Sequence, residues 1–249
     1  MKLPVFQLIN LVIILIVLVF LIRYAWDLFF SKGYSPVEWE HDCKIGRISK
    51  KLLKLKKNYP DKIRFFNWWF QVERLKRDNI PGGFAEVGVY KGESAAVLHH
   101  MDPGRKFHLF DTFKGFPSSD LDYETGEAAT YTPDRFADTH IAYVLEKISG
   151  NENILVHSGY FPDSAEPVKE ELFSLVNLDA DLYRPTRAAM EFFYPRLSPG
   201  GVIFIHDYNY KWDGIRKAVS EFVATIPETL VLMPDIDGTV VIVKVKRTS

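Results

Sequence analysis

One short stretch narrows the folds open to this chain: Gly83-Phe84-Ala85-Glu86-Val87-Gly88-Val89-Tyr90-Lys91-Gly92-Glu93-Ser94. An apolar run ends on an acid, two glycines follow, and an apolar helical pattern continues through Ala95, Ala96, Val97 and Leu98. The pattern predicts a strand, a tight turn and a helix. Glycine lets backbone approach a ligand with no Cβ in the way. The helix start offers unpaired N–H groups. In an open α/β sheet such a turn lies at the carboxyl edge of its strand, where ligands bind.

The glycine spacing selects among ligands. A dinucleotide fold uses G-x-G-x-x-G, whose middle glycine admits a pyrophosphate. Here the order is Glu-x-Gly-x-x-x-Gly, and no Lys-Ser/Thr pair follows to make a P-loop. An acid before the turn would repel a pyrophosphate and suits a cationic amine. S-adenosylmethionine (SAM) carries an ammonium and a sulfonium. The motif resembles the first signature of class I SAM-dependent methyltransferases, although a structural strand-turn-helix would share the pattern.

Downstream, residues 106–110 predict a second strand ending at Asp111, an acid placed to accept from both ribose hydroxyls; Asp111-Thr112 could equally cap a helix. A third strand over 153–156 runs into His157-Ser158-Gly159-Tyr160-Phe161-Pro162, and a fourth over 173–178 ends in Asp179-Ala180-Asp181. A helix over 186–197 leads through the turn Ser198-Pro199-Gly200-Gly201 to a fifth strand over 202–205, ending in His206-Asp207-Tyr208. Ile215, Val219, Phe222 and Val223 mark another helix, and 230–232 and 239–245 read as two final strands. In a parallel sheet the strand ends share one edge, so their polar residues converge on one crevice.

These motifs in order (Glu86 to Ser94, Phe-Asp-Thr-Phe-Lys-Gly-Phe-Pro at 110–117, Gly-Tyr-Phe-Pro-Asp-Ser at 159–164, Leu-Asp-Ala-Asp-Leu-Tyr at 178–183 and Leu-Ser-Pro-Gly-Gly-Val-Ile-Phe-Ile-His-Asp-Tyr at 197–208) resemble the macrocin O-methyltransferase (TylF/MycF-like) family over roughly residues 60 to 245. The resemblance implies a Rossmann-like class I methyltransferase fold: a mostly parallel seven-stranded sheet with an antiparallel C-terminal hairpin. It implies SAM as methyl donor, a sugar hydroxyl as acceptor and a divalent cation, usually magnesium. Position by position, Glu86, Gly88 and Ser94 match the methionine-binding turn. Asp111, with Thr112 beside it, matches the ribose acid. Ser158 and Gly159 fall where the loop meets adenine, and Asp179 matches a metal ligand. The family often has Asp-Asp-Tyr after the fifth strand, where this chain has His206-Asp207-Tyr208. Asp207 is a hard oxygen ligand; histidine is a poorer one for magnesium, which puts metal dependence in question.

A cation on the acceptor oxygen would stabilise developing alkoxide, and a base would take the proton. Asp179 and His206 are the expected catalytic residues, His206 as base because histidine titrates near neutrality; His140 and His157 are weaker candidates.

At the N-terminus, residues 5–22 are apolar with only Gln7 and Asn10 interrupting, just long enough to span a bilayer. Arg23 ends the run, and no small-residue cleavage site follows. Lysine and arginine dominate residues 44–57, with no acid among them. Positive charge stays cytoplasmic, so a single-pass anchor with a cytoplasmic catalytic domain is expected. The organisation reads as an anchor over 1–31, a basic linker or amphipathic helix over 32–60, and a methyltransferase domain over 61–249. Residues 61–79 carry Phe65, Phe66, Trp68, Trp69 and Phe70, read as core packing under the sheet edge or part of a lid. Residues 118–134, rich in Asp, Glu, Thr, Ser and Pro, are expected to be the most flexible loop.

A formal net charge of -1 over 249 residues gives no electrostatic footprint for nucleic acid, and a single cysteine allows no internal disulfide. A homo-oligomer is compatible with the sequence. Two alternatives stand beside a membrane-anchored O-methyltransferase acting on a lipid-linked or surface glycan. Asp179-Ala180-Asp181 is a D-x-D, as in metal-dependent glycosyltransferases, and His206 would fit a non-catalytic scaffold.

Overall fold

A computed structural model describes residues 4–30 and 34–245. The chain separates into two compact units, 1–47 and 48–249. The first holds α1 (Val5–Phe30) and α2 (Val37–Lys44). Within α1, Val5–Trp26 is 22 residues of mean hydropathy 3.2, none of it buried, long and apolar enough to cross a membrane. A signal sequence has the same length and composition.

The second unit is an α/β fold. It begins with α3 (Lys50–Asn58), capped by Ser49 Oγ, which accepts from Leu52 N–H at 3.1 Å, and α4 (Lys62–Arg77), capped by Asp61, which accepts from Arg64 N–H at 2.9 Å. Then come β1 (Gly83–Val87), α5 (Glu93–Met101), β2 (Phe107–Asp111), α6 (Ser118–Leu121), α7 (Ile141–Ile148), β3 (Ile154–Ser158), β4 (Phe173–Leu178), α8 (Tyr183–Arg196), β5 (Leu197–Ile205), α9 (Asp213–Val223), β6 (Val231–Leu232) and β7 (Val240–Val243). The sheet order is β3-β2-β1-β4-β5-β7-β6. All pairs are parallel except those of β7, which runs antiparallel to β5 and β6. This is the expected seven-stranded class I methyltransferase sheet with its C-terminal hairpin.

Strand side chains alternate between faces, and that alternation builds the core. Ala85, Val87, Val176, Leu178, Ile203 and Ile205 pack with Met190 and Phe193 of α8 and Val219 and Phe222 of α9. Glu86, Asn177 and His206, one position out of phase, fall on the opposite face. There α4 brings Phe65, Phe66, Trp68 and Trp69, each no more than 2 % exposed. The aromatic segment is therefore core, with Phe70 alone of the five exposed.

Two local expectations change. β5 begins at Leu197 rather than Val202, because Leu197 pairs with Phe173 and the backbone of Gly200 and Gly201 bonds Lys244 across the hairpin, at 2.8 and 2.9 Å. The basic helix excludes Gly46, whose φ of +75° is incompatible with helix. Residues 118–134 include α6 and are mostly exposed, with Asp120, Glu124, Ala128 and Tyr131 buried and Phe116 stacked on Tyr131 at 5.8 Å.

Gly88 is where the fold is least forgiving. Its φ is +85°, and a Cβ there would lie 1.9 Å from the Asp179 carbonyl oxygen. Both partners are backbone, so neither can swing aside. Gly88→Ala should lose roughly 3 kcal/mol or more, from left-handed strain plus the clash. Urea unfolding checks this; a loss under about 1 kcal/mol would mean the β1 and β4 ends are not held this close.

Candidate active site

The ladder continues beyond the strand ends. Gly88 N–H donates to Phe110 O at 3.0 Å, Asp179 N–H to Val87 O at 2.9 Å and His206 N–H to Leu178 O at 2.9 Å. Each central parallel strand then turns through a left-handed, non-glycine residue: Tyr90 after β1, Phe113 after β2, Asp181 after β4 and Asp207 after β5. Such conformations cost energy and persist only where the surroundings impose them. All four lie along the carboxyl edge, and three of these turns line a cleft of about 450 Å³.

Asp111 clasps the first turn. Its Oδ2 accepts from the N–H groups of Val89 and Tyr90, both at 2.8 Å, and its Oδ1 from Phe113 N–H at 2.7 Å. Carboxylate oxygens have lone pairs beyond these, so Asp111 shapes the turn and still faces the cleft. Thr112 Oγ1 donates to Gly115 O at 2.7 Å, bending the next loop back along the cleft wall.

Beneath the turn lies a buried polar chain. Glu86 is 0 % exposed and is the register partner of Asn177. Asn177 Nδ2 donates to Glu86 Oε1 at 2.7 Å, and Asn177 Oδ1 accepts from Trp68 Nε1 at 3.1 Å. His206 Nε2 lies 2.6 Å from the same Oδ1, and His206 Nδ1 lies 2.8 Å from Thr239 Oγ1. Indole can only donate. The atom facing Trp68 is therefore the amide oxygen, and the His206 nitrogen beside it carries the proton. Burial, then the charge of Arg64, holds His206 well below its usual pKa. Burial pushes Glu86 up to about 8, against the hydrogen-bonding side chains of Ser94 and Asn177. Glu86 Oε2 has no hydrogen-bond partner among the described residues.

Carboxylates crowd the ends of β4 and β5. Burial raises Asp179, and burial with the charge of Asp179 raises Asp181 far above its ordinary value. Burial and then Asp179 push Asp207 up to about 8. Arg64 opposes this from α4, donating through Nε to Asp235 Oδ2 at 2.8 Å and through Nη2 to Asp237 at 3.4 Å. No group of three or more His, Cys, Asp or Glu among the described residues is arranged to hold a metal ion.

The structure brings Gly88, Ser94, Asp111, Thr112, Gly159 and Asp179 to the cleft. Glu86 sits directly beneath it. Ser158 is exposed and outside the lining, as are the buried His206 and the half-buried Asp207. Of the other histidines, His140 caps α7, accepting from Tyr143 N–H at 3.1 Å. His157 stacks on Phe110 at 4.6 Å and places Nε2 3.0 Å from His108 Nδ1. Sequence reasoning missed Asn177, although a lone amide within the apolar run Leu-Val-Asn-Leu is itself a signal, because buried polar groups need partners. Tyr59 and Asp120 also line the cleft from outside the recognised motifs, and no spacing rule pointed to them.

A sequence profile of macrocin O-methyltransferases (TylF) matches residues 61–244. The chain belongs to this family. It is 32% identical over 177 residues to a tetracenomycin rhamnosyl 4'-O-methyltransferase of Streptomyces olivaceus, covering 64% of each chain. It is 29% identical over 164 residues to the mycinamicin III 3''-O-methyltransferase of Micromonospora griseorubida, covering 61% of this chain and 64% of that one. The match thus spans just under two thirds of these relatives. Among solved structures, the O-methyltransferase NovP superposes with a TM-score of 0.64 at 23% identity, covering 74% of this chain and 81% of that one. The calicheamicin methyltransferase CalS11 gives 0.58 at 21%, covering 86% and 95%. These two show the fold. The family match covers Asp179-Ala180-Asp181, so the D-x-D lies within a methyltransferase domain and does not by itself mark a glycosyltransferase.

Glu86 yields a signed pH dependence. Folded, it keeps its proton up to about pH 8; unfolded, it loses it near its ordinary 4.5. Between those values the folded state binds more protons, so stability falls as pH rises. Glu86→Gln removes this contribution. The wild-type melting temperature, relative to the variant, should decline from about pH 5 to pH 8; parallel curves would mean that Glu86 titrates normally.

Proposed function

We propose that this protein is a SAM-dependent O-methyltransferase acting on a sugar hydroxyl of a glycosylated acceptor. The observation that carries this reading is the Asp111 clasp on a glycine turn, opening into a cleft that also takes the Asp179 carboxyl. The residues fit SAM in three respects. Gly88 leaves backbone bare where any Cβ would collide. Glu86 is a fully buried carboxyl beneath the turn, hydrogen-bonded by Asn177 and Ser94. Asp111 retains acceptor capacity for a diol. Both relatives named above are O-methyltransferases by description, and the name of the first carries a rhamnosyl group.

SAM supplies a methyl group bound to a sulfonium. The protein's own share is positional and acid–base. Ser94, at the start of α5, and the Gly88 turn receive the amino-acid end; Asp111 and Thr112 receive the ribose; Gly159 flanks the base. Asp179 takes the proton from the acceptor hydroxyl. It is a cleft-lining carboxyl whose proton affinity burial has raised toward the range a general base needs. His206 has both nitrogens engaged and is neutral, so it acts as a positioning residue: it fixes Asn177, and Asn177 fixes Glu86. Asp179 and Asp207 are the oxygen donors the family resemblance offers a divalent cation, but Asp207 lies outside the cleft lining and no group of three or more His, Cys, Asp or Glu among the described residues is arranged to hold one, so no step is routed through a cation. With His206 turned into the core, the expected Asp-Asp contribution is reduced to Asp207.

Full-length protein in detergent should bind S-adenosylhomocysteine in calorimetry, and Asp111→Ala should weaken that binding at least about tenfold, the scale of a charge-assisted hydrogen bond. Asp179→Asn should leave binding within a few-fold and lower kcat on a rhamnosylated acceptor by about 10²–10⁴. No binding to the wild type would favour the scaffold reading, and an unchanged kcat would assign the base elsewhere.

We further read α1 as a single-pass anchor that leaves residues 61–249 in the cytoplasm and favours a membrane-borne glycoconjugate as acceptor. Support comes from its exposed apolar length and the basic residues that follow. Alkaline carbonate should leave the chain in the membrane pellet, and a C-terminal tag should be protease-sensitive in inverted vesicles. Release by carbonate would refute the anchor.

A further inference from the structure

The far end of the cleft contains a carboxyl that the proposed reaction does not use. Asp120, in α6, is 1 % exposed and lines the cleft. Its Oδ1 lies 3.5 Å from Arg184 Nη1. Its Oδ2 has no hydrogen-bond partner among the described residues. The Tyr160 phenol hydrogen-bonds the same carboxyl; burial, then that hydrogen bond and the Asp120 charge, push the phenol up to about 12. A buried carboxylate oxygen without a donor costs free energy, and such an atom in a cleft is explained when a ligand brings the donor.

Sheet order identifies the ligand atom. The edge runs from the Gly88 turn of β1 to Asp111 of β2 and then to Gly159 beyond β3. A ligand whose ribose is held at Asp111 and whose amino-acid end lies at Gly88 must carry its base toward Gly159. The cleft lining includes Phe116, Pro117, Phe161 and Pro185, apolar surfaces suited to a flat ring. Ser158, the sequence candidate for contacting the base, lies outside the lining. Asp120 and Tyr160 supply the polar groups there. A carboxylate can only accept. Adenine offers a donor in its exocyclic amine, whereas hypoxanthine presents a carbonyl at the same position.

We propose that Asp120 is a specificity residue that accepts a hydrogen bond from the exocyclic amine of the donor's adenine. This rests on the SAM reading of the cleft. Asp120 rejects 6-oxo purines by leaving two acceptors face to face. Arg184 pairs with Oδ1 at 3.5 Å and Tyr160 bonds the carboxyl, while Oδ2 keeps acceptor capacity for the ligand.

The test is calorimetric titration of full-length protein in detergent with S-adenosylhomocysteine and S-inosylhomocysteine, for wild type and Asp120→Asn. Wild type should prefer the adenosyl ligand by about 10- to 100-fold, the range of one charge-assisted hydrogen bond and its loss. In Asp120→Asn the amide can turn either way, so that gap should close to within a few-fold. Equal wild-type affinities for the two ligands would overturn the proposal without any variant. So would an intact preference in a folded Asp120→Asn, or a rise in acceptor KM with unchanged adenosyl affinity, which would place Asp120 at the acceptor. No wild-type binding of either ligand would overturn the SAM reading itself, and with it this assignment.

Discussion

A single buried amide, Asn177, ties the two halves of the sheet edge together. It bonds Glu86 on β1, Trp68 on α4 and His206 after β5, and through His206 it reaches Thr239 beside β7. Each partner is buried, so losing any one would leave a desolvated polar group, a loss on the order of 1–3 kcal/mol. The chain fixes the height of Glu86 beneath the glycine turn, and thus where the turn's backbone faces the cleft. Binding geometry here depends on groups no ligand touches.

The second constraint is backbone strain. Four strand ends turn through left-handed residues that are not glycine. Strain of this kind needs something to hold it. At the first turn the holder is Asp111, which takes three backbone N–H groups. A residue expected to bind ribose thus first shapes the wall that ribose would meet. Its removal would lose both roles together, whereas a residue that only touches ligand would leave the turn intact.

Most of the fold was legible because class I sheets advertise themselves. The apolar runs at 83–87, 107–111 and 173–178 have strand length and end in polar residues. The boundaries that shifted did so for tertiary reasons. β5 starts early because Leu197 finds Phe173 across the sheet, a pairing that local turn chemistry at Ser198-Pro199-Gly200-Gly201 argues against. Strand-end residues Gly88, Asp111 and Asp179 were legible from position alone. His206 was legible as a strand-end residue, but its orientation was not. Period-two alternation puts it in phase with Glu86 and Asn177, on the α4 side and under the cleft. Reading that phase from the sequence would have turned it inward. Asp120 was illegible for another reason: it reaches the cleft from a segment between strands whose path no strand-end motif marks.

The electrostatics of the crevice follow from these placements. Asp179, Asp181 and Asp207 gather at two adjacent strand ends, with Glu86 one strand over, and all four hold protons more tightly than usual. Arg64 offsets part of this for Asp179 and Asp207, and Arg135 does so for Asp181. The remaining imbalance is negative. A ligand bearing an ammonium and a sulfonium would relieve it, and so would a divalent cation. Either would displace protons on binding, because relieved carboxyls release them. An anionic nucleotide would deepen the imbalance instead. His206, where the resemblance led one to expect an aspartate, fits the same account. A neutral, fully bonded ring at that position adds no further carboxyl to a crowded edge.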